Sequence, residues 1–130
     1  MEISHSEALT AINHATQRAN EIGVNANITI LDTAGHLKTF LRMDEAFLGS
    51  IDISMGKAKT AMLFRMNSEK VGEFLAPQMG TYGMVQTSGG LVGFKGGMPI
   101  QSGLETIGYI GVSGGDPDQD FEIATAGSRL

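Results

Sequence analysis

The chain contains no cysteine and no tryptophan, and few of its residues are aromatic. Without cysteine, disulfides, thiolate metal sites and cysteine nucleophiles are all excluded. The shortage of aromatic side chains argues against a surface on which nucleic-acid bases stack. Basic residues are also in the minority, since 9 Lys and Arg face 14 Asp and Glu and are scattered along the chain. We therefore expect no nucleic-acid partner.

Long hydrophobic runs are missing as well. No apolar run approaches the ~18 residues of a membrane-spanning helix, and the N-terminus lacks the basic and then apolar pattern of a signal peptide. The sequence also lacks the HExxH, His-rich and multi-carboxylate patterns of metal sites formed by protein groups alone. These absences predict a cytoplasmic protein with no membrane partner. A length of 130 residues predicts a single domain over 1–130.

Glycine, by contrast, is abundant. The chain has 18 glycines, about twice the typical share of ~7%, and most of them follow residue 79. They are interleaved with apolar residues rather than with Ser or Gln, which predicts tightly turning folded chain and not a linker. Glycines within a strand indicate that a neighbouring group packs close to the backbone, as we expect at Gly108 and Gly111.

Helices are predicted from caps and from apolar spacing. Ser4 and Glu7 form a capping box before a helix over about 5–22. A second helix begins at 49–50, and a short one over 69–75 is followed by an irregular loop over 77–84. The last helix runs from Pro117 to about 127, because Asp116 is a preferred N-cap and proline fits the first helical turn.

Strands are predicted from alternation and from turns. Segments 25–31 and 36–43 are joined by a turn at 32–35 and predict an antiparallel hairpin whose first strand is half-buried. Apolar segments predict further strands at 91–94, 98–100 and 106–113. Consecutive strands without long crossovers form an antiparallel sheet, and helices on its faces complete an α+β sandwich.

The second helix carries two stripes at helical spacing. The stripe that we expect to be buried consists of Ile51, Met55, Ala58 and Met62. The second, partly apolar stripe consists of Ile53, Lys57, Thr60 and Phe64. A helix with two apolar faces is covered twice. We expect the core on one face and a partner subunit or a ligand on the other.

Three polar side chains are candidates for chemistry. His14 lies on the first helix away from its apolar face and is either an inert surface residue or an iron ligand. Arg42 either pairs at the surface or holds a ligand carboxylate, which its planar fork suits. Lys57 either extends to water or pairs with an acid or a ligand anion. The residues alone leave these alternatives open.

Near the C-terminus, a strand, a Gly114–Gly115 turn and a helix start follow one another. Two glycines leave the backbone bare, and the N–H groups of a helix start can bind an anion. The acids Asp116, Asp118 and Asp120 oppose an anion at the same place. The turn therefore either borders a ligand pocket or serves only the fold.

A series of short motifs extends over almost the whole chain. They are Ile30-Leu31-Asp32 with Gly35-His36-Leu37, Phe40 with Arg42-Met43-Asp44, Ser50-Ile51 with Ile53-Ser54, Lys57-Ala58 with Thr60-Ala61, Gly89-Gly90, Gly96-Gly97 with Pro99-Ile100, and Ile107-Gly108 with Ile110 to Gly115 and Asp120 beyond. In this combination the chain resembles the GlcG/HbpS family of small heme-binding proteins, which is related to the C-terminal domain of PduO-type proteins.

The resemblance implies a profilin-like sandwich with an antiparallel sheet of about five strands, homo-oligomers, and heme or a similar tetrapyrrole as ligand. His14 is the candidate iron ligand by its side-chain chemistry, beside an apolar pocket with a glycine wall. The ligand-binding residues would be Arg42, Met43, Met55, Lys57, Gly89, Gly90, Gly114 and Gly115. Two alternatives stay open: an enzyme or accessory protein acting on a small hydroxy or oxo acid such as glycolate, and an assembly factor without a ligand.

Overall fold

The computed structural model describes all 130 residues of the chain, which consists of helices and short strands. The helices are α1 (His5–Glu21), α2 (Gly49–Phe64), α3 (Ser68–Gly72) and α4 (Pro117–Gly127), and the strands are β1 (Asn27–Leu31), β2 (Leu37–Arg42), β3 (Gly97–Ser102) and β4 (Glu105–Ser113). Two 3-10 segments, Glu73–Leu75 and Tyr82–Gly89, lie between α3 and β3. The second of them occupies part of the segment for which an irregular loop was predicted.

The strands form one antiparallel sheet of four, in the order β2-β1-β4-β3. Both hairpins, β1–β2 and β3–β4, pair consecutive strands, and β1 and β4 join them at the centre. Helices α1 and α4 pack on one face of the sheet, and α2 packs on the other. The predicted α+β class with helices on both faces of an antiparallel sheet is therefore confirmed, whereas the likeness to profilin stays a prediction.

The expectation of about five strands is wrong, because residues 91–94 form no strand. The backbone N–H of Val92 donates to the hydroxyl of Thr60 on α2, over 2.9 Å, and not to a neighbouring strand. The adjacent Gly93 packs against α3 so closely that a Cβ there would lie 2.7 Å from Cα of Gly72. This segment thus crosses over α2 and α3 instead of extending the sheet.

The predicted starts of the first and last helices are confirmed by their hydrogen bonds. Ser4 accepts the backbone N–H of Glu7, and the Glu7 carboxylate accepts the N–H of Ser4. Asp116 and Gln119 form the same reciprocal pair before α4, with Pro117 as the first helical residue. Each box satisfies backbone donors that the helix itself leaves unpaired.

The larger apolar core lies between the sheet and the α1–α4 pair. It contains 18 buried residues, among them Ile28 and Ile30 of β1 and Ile110 and Val112 of β4. Burial of a Val or Ile side chain contributes about 1.5–3 kcal/mol. All 5 residues of β1 are buried, so the half-buried strand predicted at 25–31 is wrong. A central strand between two helix layers is covered on both faces.

The prediction for the buried face of α2 is also wrong. The predicted stripe is only partly buried at Ile51, Met55 and Met62. The residues that face inward are mostly small or polar, namely Ser50, Ser54, Lys57, Ala58, Thr60 and Ala61. Thr29 of β1 and Ser54 share a buried hydrogen bond of 2.9 Å beneath the helix.

Two glycines explain why α2 presents this face. Gly97 and Gly111 are paired across β3 and β4. A Cβ on Gly111 would overlap the carbonyl oxygen of Ser54, and a Cβ on Gly97 would overlap that of Lys57. The helix backbone therefore rests on sheet backbone and leaves room beneath it chiefly for small side chains. The close approach expected at Gly111 is confirmed, as is the one at Gly108, where a Cβ would lie 2.6 Å from the Leu31 oxygen.

None of the helices combines the length and apolar character that crossing a membrane requires.

Candidate functional site

His14 lies on the outer surface of α1 and is exposed. One turn later on the same side of the helix, the guanidinium of Arg18 forms ion pairs with Glu21 and with Glu122 of α4. The imidazole is therefore on the side of α1 that borders α4. It takes part in none of the hydrogen bonds or ion pairs inside the chain, so both ring nitrogens are free for a ligand.

Arg42 ends the edge strand β2 and lines a cavity of about 440 Å³. The other walls of this cavity are Thr16 and Asn20 of α1 with Asn25, Leu41, Met43 and Asp44. The Arg42 guanidinium is exposed and forms no ion pair. Met43 is only 9% exposed and belongs mainly to the core. Its Sδ lies 3.3 Å from the backbone nitrogen of Ala26.

Gly114 and Gly115 line a neighbouring cavity of about 260 Å³, which shares Asn25 with the first. Gly114 has φ of 153°, and a Cβ there would lie 2.5 Å from the Asn25 oxygen. The N–H of Gly115 donates to Oδ1 of Asp120 over 2.8 Å. A carboxylate of the chain itself thus accepts a backbone donor that the sequence suggested for an external anion.

Lys57 is completely buried and does not line any of these cavities. Its Nζ donates to Oδ2 of Asp120 and to the carbonyl oxygen of Val112, each over 2.9 Å. The same Nζ lies 4.9 Å from the centre of the Phe94 ring, within cation–π range. Of the alternatives that the sequence left open, pairing with an acid is the one present in the fold.

Burial perturbs both partners of this ion pair. Desolvation lowers the pKa of Lys57 below its usual range, although the hydrogen bond and charge of Asp120 act to raise it. Desolvation likewise raises the pKa of Asp120, against the opposing effects of Lys57 and of the N–H groups of Gly114 and Gly115. Removing an ammonium and a carboxylate from water is costly, and their mutual attraction offsets part of that cost.

The remaining predicted residues lie on α2 or next to it: Met55 belongs to the helix, and Gly89 and Gly90 lie near its Lys59. Met55 is partly buried on α2. Gly89 and Gly90 are exposed at the end of the second 3-10 segment, where Nζ of Lys59 donates to the Ser88 oxygen over 2.6 Å. A Cβ on Gly89 would lie 3.5 Å from that Nζ. The expected glycine wall is therefore divided between two separate places.

Within a single chain, only some of the predicted site residues lie close together. Arg42 and Met43 share one cavity, and Gly114 and Gly115 border the next. Thr16, which faces the Arg42 cavity, follows His14 by two residues and is about 200° around the helix from it. Within one chain, His14 and Arg42 thus lie on different sides of α1.

Two features of the fold escaped the sequence reasoning. The sequence showed Asp120 as one acid of a helix start and as the last residue of the motif series, but no local pattern links it to Lys57, which is 63 residues away. The largest cavity, of about 790 Å³, lies between β3, α4 and the last residues of the chain and contains none of the predicted site residues. Its only sequence signal was Arg129, a basic residue between Ser128 and Leu130.

Known proteins resemble this chain over most of its length. A 15.0 kDa protein of Citrobacter freundii, in the dhaT–dhaS intergenic region, is 36% identical over 108 residues, which are 82% of this chain and 76% of that protein. The corrinoid adenosyltransferase PduO of Citrobacter freundii is 30% identical over 125 residues, which are 95% of this chain. The chain spans only 37% of that enzyme's length.

Structural similarity extends to the whole fold. The crystal structure of PduOC in complex with heme has a TM-score of 0.90 at 27% identity, covering 98% of this chain and 93% of that one. The family model described as "Haem degrading protein HbpS-like" matches residues 3–129. The chain therefore belongs to the HbpS-like family.

Proposed function

We propose that this chain is a small homo-oligomeric protein that binds heme or a similar tetrapyrrole, with His14 as the iron ligand. The observation that carries the proposal is the exposed imidazole on α1, which no group of the chain engages. The similarity to PduOC, which was crystallised with heme, supports the ligand class. A cytoplasmic location and the absence of nucleic-acid and membrane partners remain part of this proposal.

The side chains present include a suitable iron ligand for heme, but one chain does not enclose a heme pocket around it. Histidine is a common proximal ligand of heme iron, and bound heme supplies an iron centre for redox or small-ligand chemistry. A tetrapyrrole also needs apolar walls and cations for its propionates. His14 lines none of the larger cavities. The exposed apolar residue of α1, Leu9, is 42% exposed and lies five positions before His14, about 140° around the helix from it, so one chain supplies no apolar wall beside this imidazole.

A second copy would supply what one chain lacks. Arg18 is already paired with Glu21 and Glu122, so it is poorly placed to receive a propionate. Arg42 carries no counter-ion but lies on the other side of α1, so it reaches a heme on His14 only from another subunit. The outer side of α2 and the residue before it support self-association, since Leu63 is 38% exposed and Leu48, which precedes the helix, is 72% exposed.

Titration with hemin tests the proposal. We expect the Soret band to shift and to saturate near one heme per subunit. His14→Ala should abolish or strongly weaken this binding, whereas His5→Ala, which changes another exposed histidine of α1, should leave it unchanged. An unshifted Soret band, or equal binding by His14→Ala and the wild type, would contradict the assignment. Light scattering that finds only monomers would contradict the oligomeric part.

A second candidate function rests on the Arg42 cavity. An unpaired guanidinium beside the amides of Asn20 and Asn25 suits the carboxylate and hydroxyl of a small hydroxy or oxo acid such as glycolate. Such acids should then raise the melting temperature, and Arg42→Gln should remove the effect. Lys57 has no part in this site, because its ammonium is closed off by Asp120. If neither hemin nor these acids stabilise the protein, an assembly role is favoured instead.

A further inference from the structure

The largest cavity of the molecule, about 790 Å³, lies along the outer edge of β3. Residues 128–130 follow this edge, because Gln101 donates its backbone N–H to the Ser128 oxygen over 2.7 Å and accepts that of Leu130 over 3.0 Å. These two bonds fix the backbone on both sides of Arg129. The guanidinium of Arg129 is thus presented to the cavity from a segment whose backbone is hydrogen-bonded to β3.

The walls of this cavity combine apolar surface with a single available cation. Its apolar residues are Met98, Pro99, Leu104, Phe121 and Leu130. Leu104 is fully exposed at the tip of the β3–β4 turn, where an apolar side chain gains nothing from the fold of this chain.

The polar side chains of the lining are already engaged within the chain. The amide of Gln101 donates to the Thr106 hydroxyl, and that of Asn67 donates to the Glu69 carboxylate. The hydroxyls of Thr125 and Ser128 donate to backbone oxygens. Arg129 takes part in no ion pair or side-chain hydrogen bond, so its guanidinium is the one charged group with free donors here.

We propose that this cavity binds an amphipathic monocarboxylate, with the carboxylate on Arg129 and an aliphatic or aromatic body between Leu104 and Phe121. A guanidinium holds a carboxylate through two parallel hydrogen bonds, and one cation matches one such group. The cavity has the size of ordinary small-molecule sites, about 300–1,000 Å³. The chain carries a net charge of −5 and therefore repels an anion at long range. We expect burial of the apolar body to offset this repulsion together with the ion pair.

This site is separate from the proposed heme ligand. Phe121 and Thr125 of α4 face the cavity, whereas Glu122 is turned toward α1, where Arg18 binds it. His14 therefore lies on the other side of α4. Binding of the carboxylate and binding of heme can be tested independently of each other.

Calorimetric titration with 4-phenylbutyrate tests the proposal on the full chain. We expect saturable binding near one site per subunit, with acetate and the neutral 4-phenylbutanamide each binding at least about tenfold more weakly, since one lacks the apolar body and the other the charge. No saturable binding, or equal binding of the amide, overturns the proposal.

Variants then locate the site. Arg129→Gln should weaken 4-phenylbutyrate at least about tenfold, and Leu104→Asn, which changes an exposed turn residue, should weaken it less. Arg65→Gln is the matched control, because Arg65 is also exposed and unpaired. Equal affinity in Arg129→Gln and Arg65→Gln overturns the assignment. His14→Ala should bind the probe as the wild type does; a loss there would place the probe at the heme ligand and overturn a separate site.

Discussion

Replacing Lys57 with methionine removes a charge from the interior while keeping most of the side chain's volume. Lys57 is 0% exposed and Asp120 is 3% exposed. The substitution takes away the ammonium that donates 2.9 Å bonds to the Asp120 carboxylate and to the Val112 oxygen. Asp120 keeps the N–H of Gly115 but loses its only counter-ion, so the folded state must hold an uncompensated buried carboxylate.

The cost of this substitution follows from the burial of the pair. Removing one partner of a buried ion pair typically destabilises a protein by about 3–5 kcal/mol. Because the Lys57 and Asp120 side chains are only 0% and 4% exposed, solvent screening reduces this value little. Single domains have a free energy of unfolding of about 5–15 kcal/mol. We therefore expect Lys57→Met to lose a large fraction of the total stability and to unfold at a much lower urea concentration.

A double-mutant cycle separates the ion pair from the packing. Urea unfolding, followed by circular dichroism at pH 7, would compare the wild type with Lys57→Met, Asp120→Asn and the double variant. Asparagine keeps the shape of Asp120 and an oxygen for the Gly115 N–H, so the double variant should be more stable than Lys57→Met alone. Lys38→Met, which removes an exposed lysine from β2, should change the free energy of unfolding by less than about 0.5 kcal/mol.

Two results would refute this reasoning. A cost of Lys57→Met below about 1 kcal/mol would mean that Asp120 finds water or a proton in the folded state without penalty. Additive effects of the two substitutions would mean that Lys57 and Asp120 contribute independently. Either result would remove the ion pair as the source of the stability that we assign to it.

Three further predictions concern pH, packing and capping. In Asp120→Asn the free energy of unfolding should rise from pH 7 to 10 more steeply than in the wild type. Burial lowers the pKa of Lys57 below its unfolded value of about 10.4, and the variant lacks the Asp120 charge that opposes this shift, so the unfolded state binds more protons than the folded state in this range. Urea midpoints measured across the range check this, and parallel curves for the two proteins would contradict it. Gly111→Ala should lower the melting temperature strongly because its Cβ would overlap the α2 backbone, whereas Gly49→Ala, where a Cβ meets nothing within 4 Å, should be neutral or stabilising; equal melting temperatures would be inconsistent with backbone contact. Ser4→Ala should cost about 1 kcal/mol in urea unfolding, since it removes the cap of α1, and an unchanged midpoint would show that the box contributes nothing.

Local signals in the sequence predicted the element types well. The boxes at Ser4 and Asp116 placed the starts of α1 and α4, because capping depends on residues within three positions of each other. The hairpin turn at 32–35 was predicted for the same reason. The strand predicted at 91–94 is wrong, since Val92 and Gly93 contact α2 and α3 and not a neighbouring strand, and periodicity cannot distinguish such packing from packing in a sheet.

The candidate site was predicted less well than the fold. His14 and Arg42 were chosen for their side-chain chemistry, and both lie at the surface, where such groups can meet a ligand. Their separation on opposite sides of α1 depends on how that helix packs between β2 and α4. No spacing in the sequence encodes this packing. Side-chain chemistry was therefore enough to choose the residues, whereas their arrangement could be learned only from the structure.

By itself, the sequence determined the α+β class, the helix starts, the close approach at Gly108 and Gly111, and the family, because these depend on local backbone preferences and on motifs. Only the tertiary structure decided which face of α2 is buried. Hydrophobicity favoured Ile51, Met55 and Met62, but the backbone contact at Gly97 and Gly111 admits small residues and directs Lys57 to Asp120. That contact joins residues far apart in the chain, so its steric and electrostatic consequences appear only when the elements are packed together.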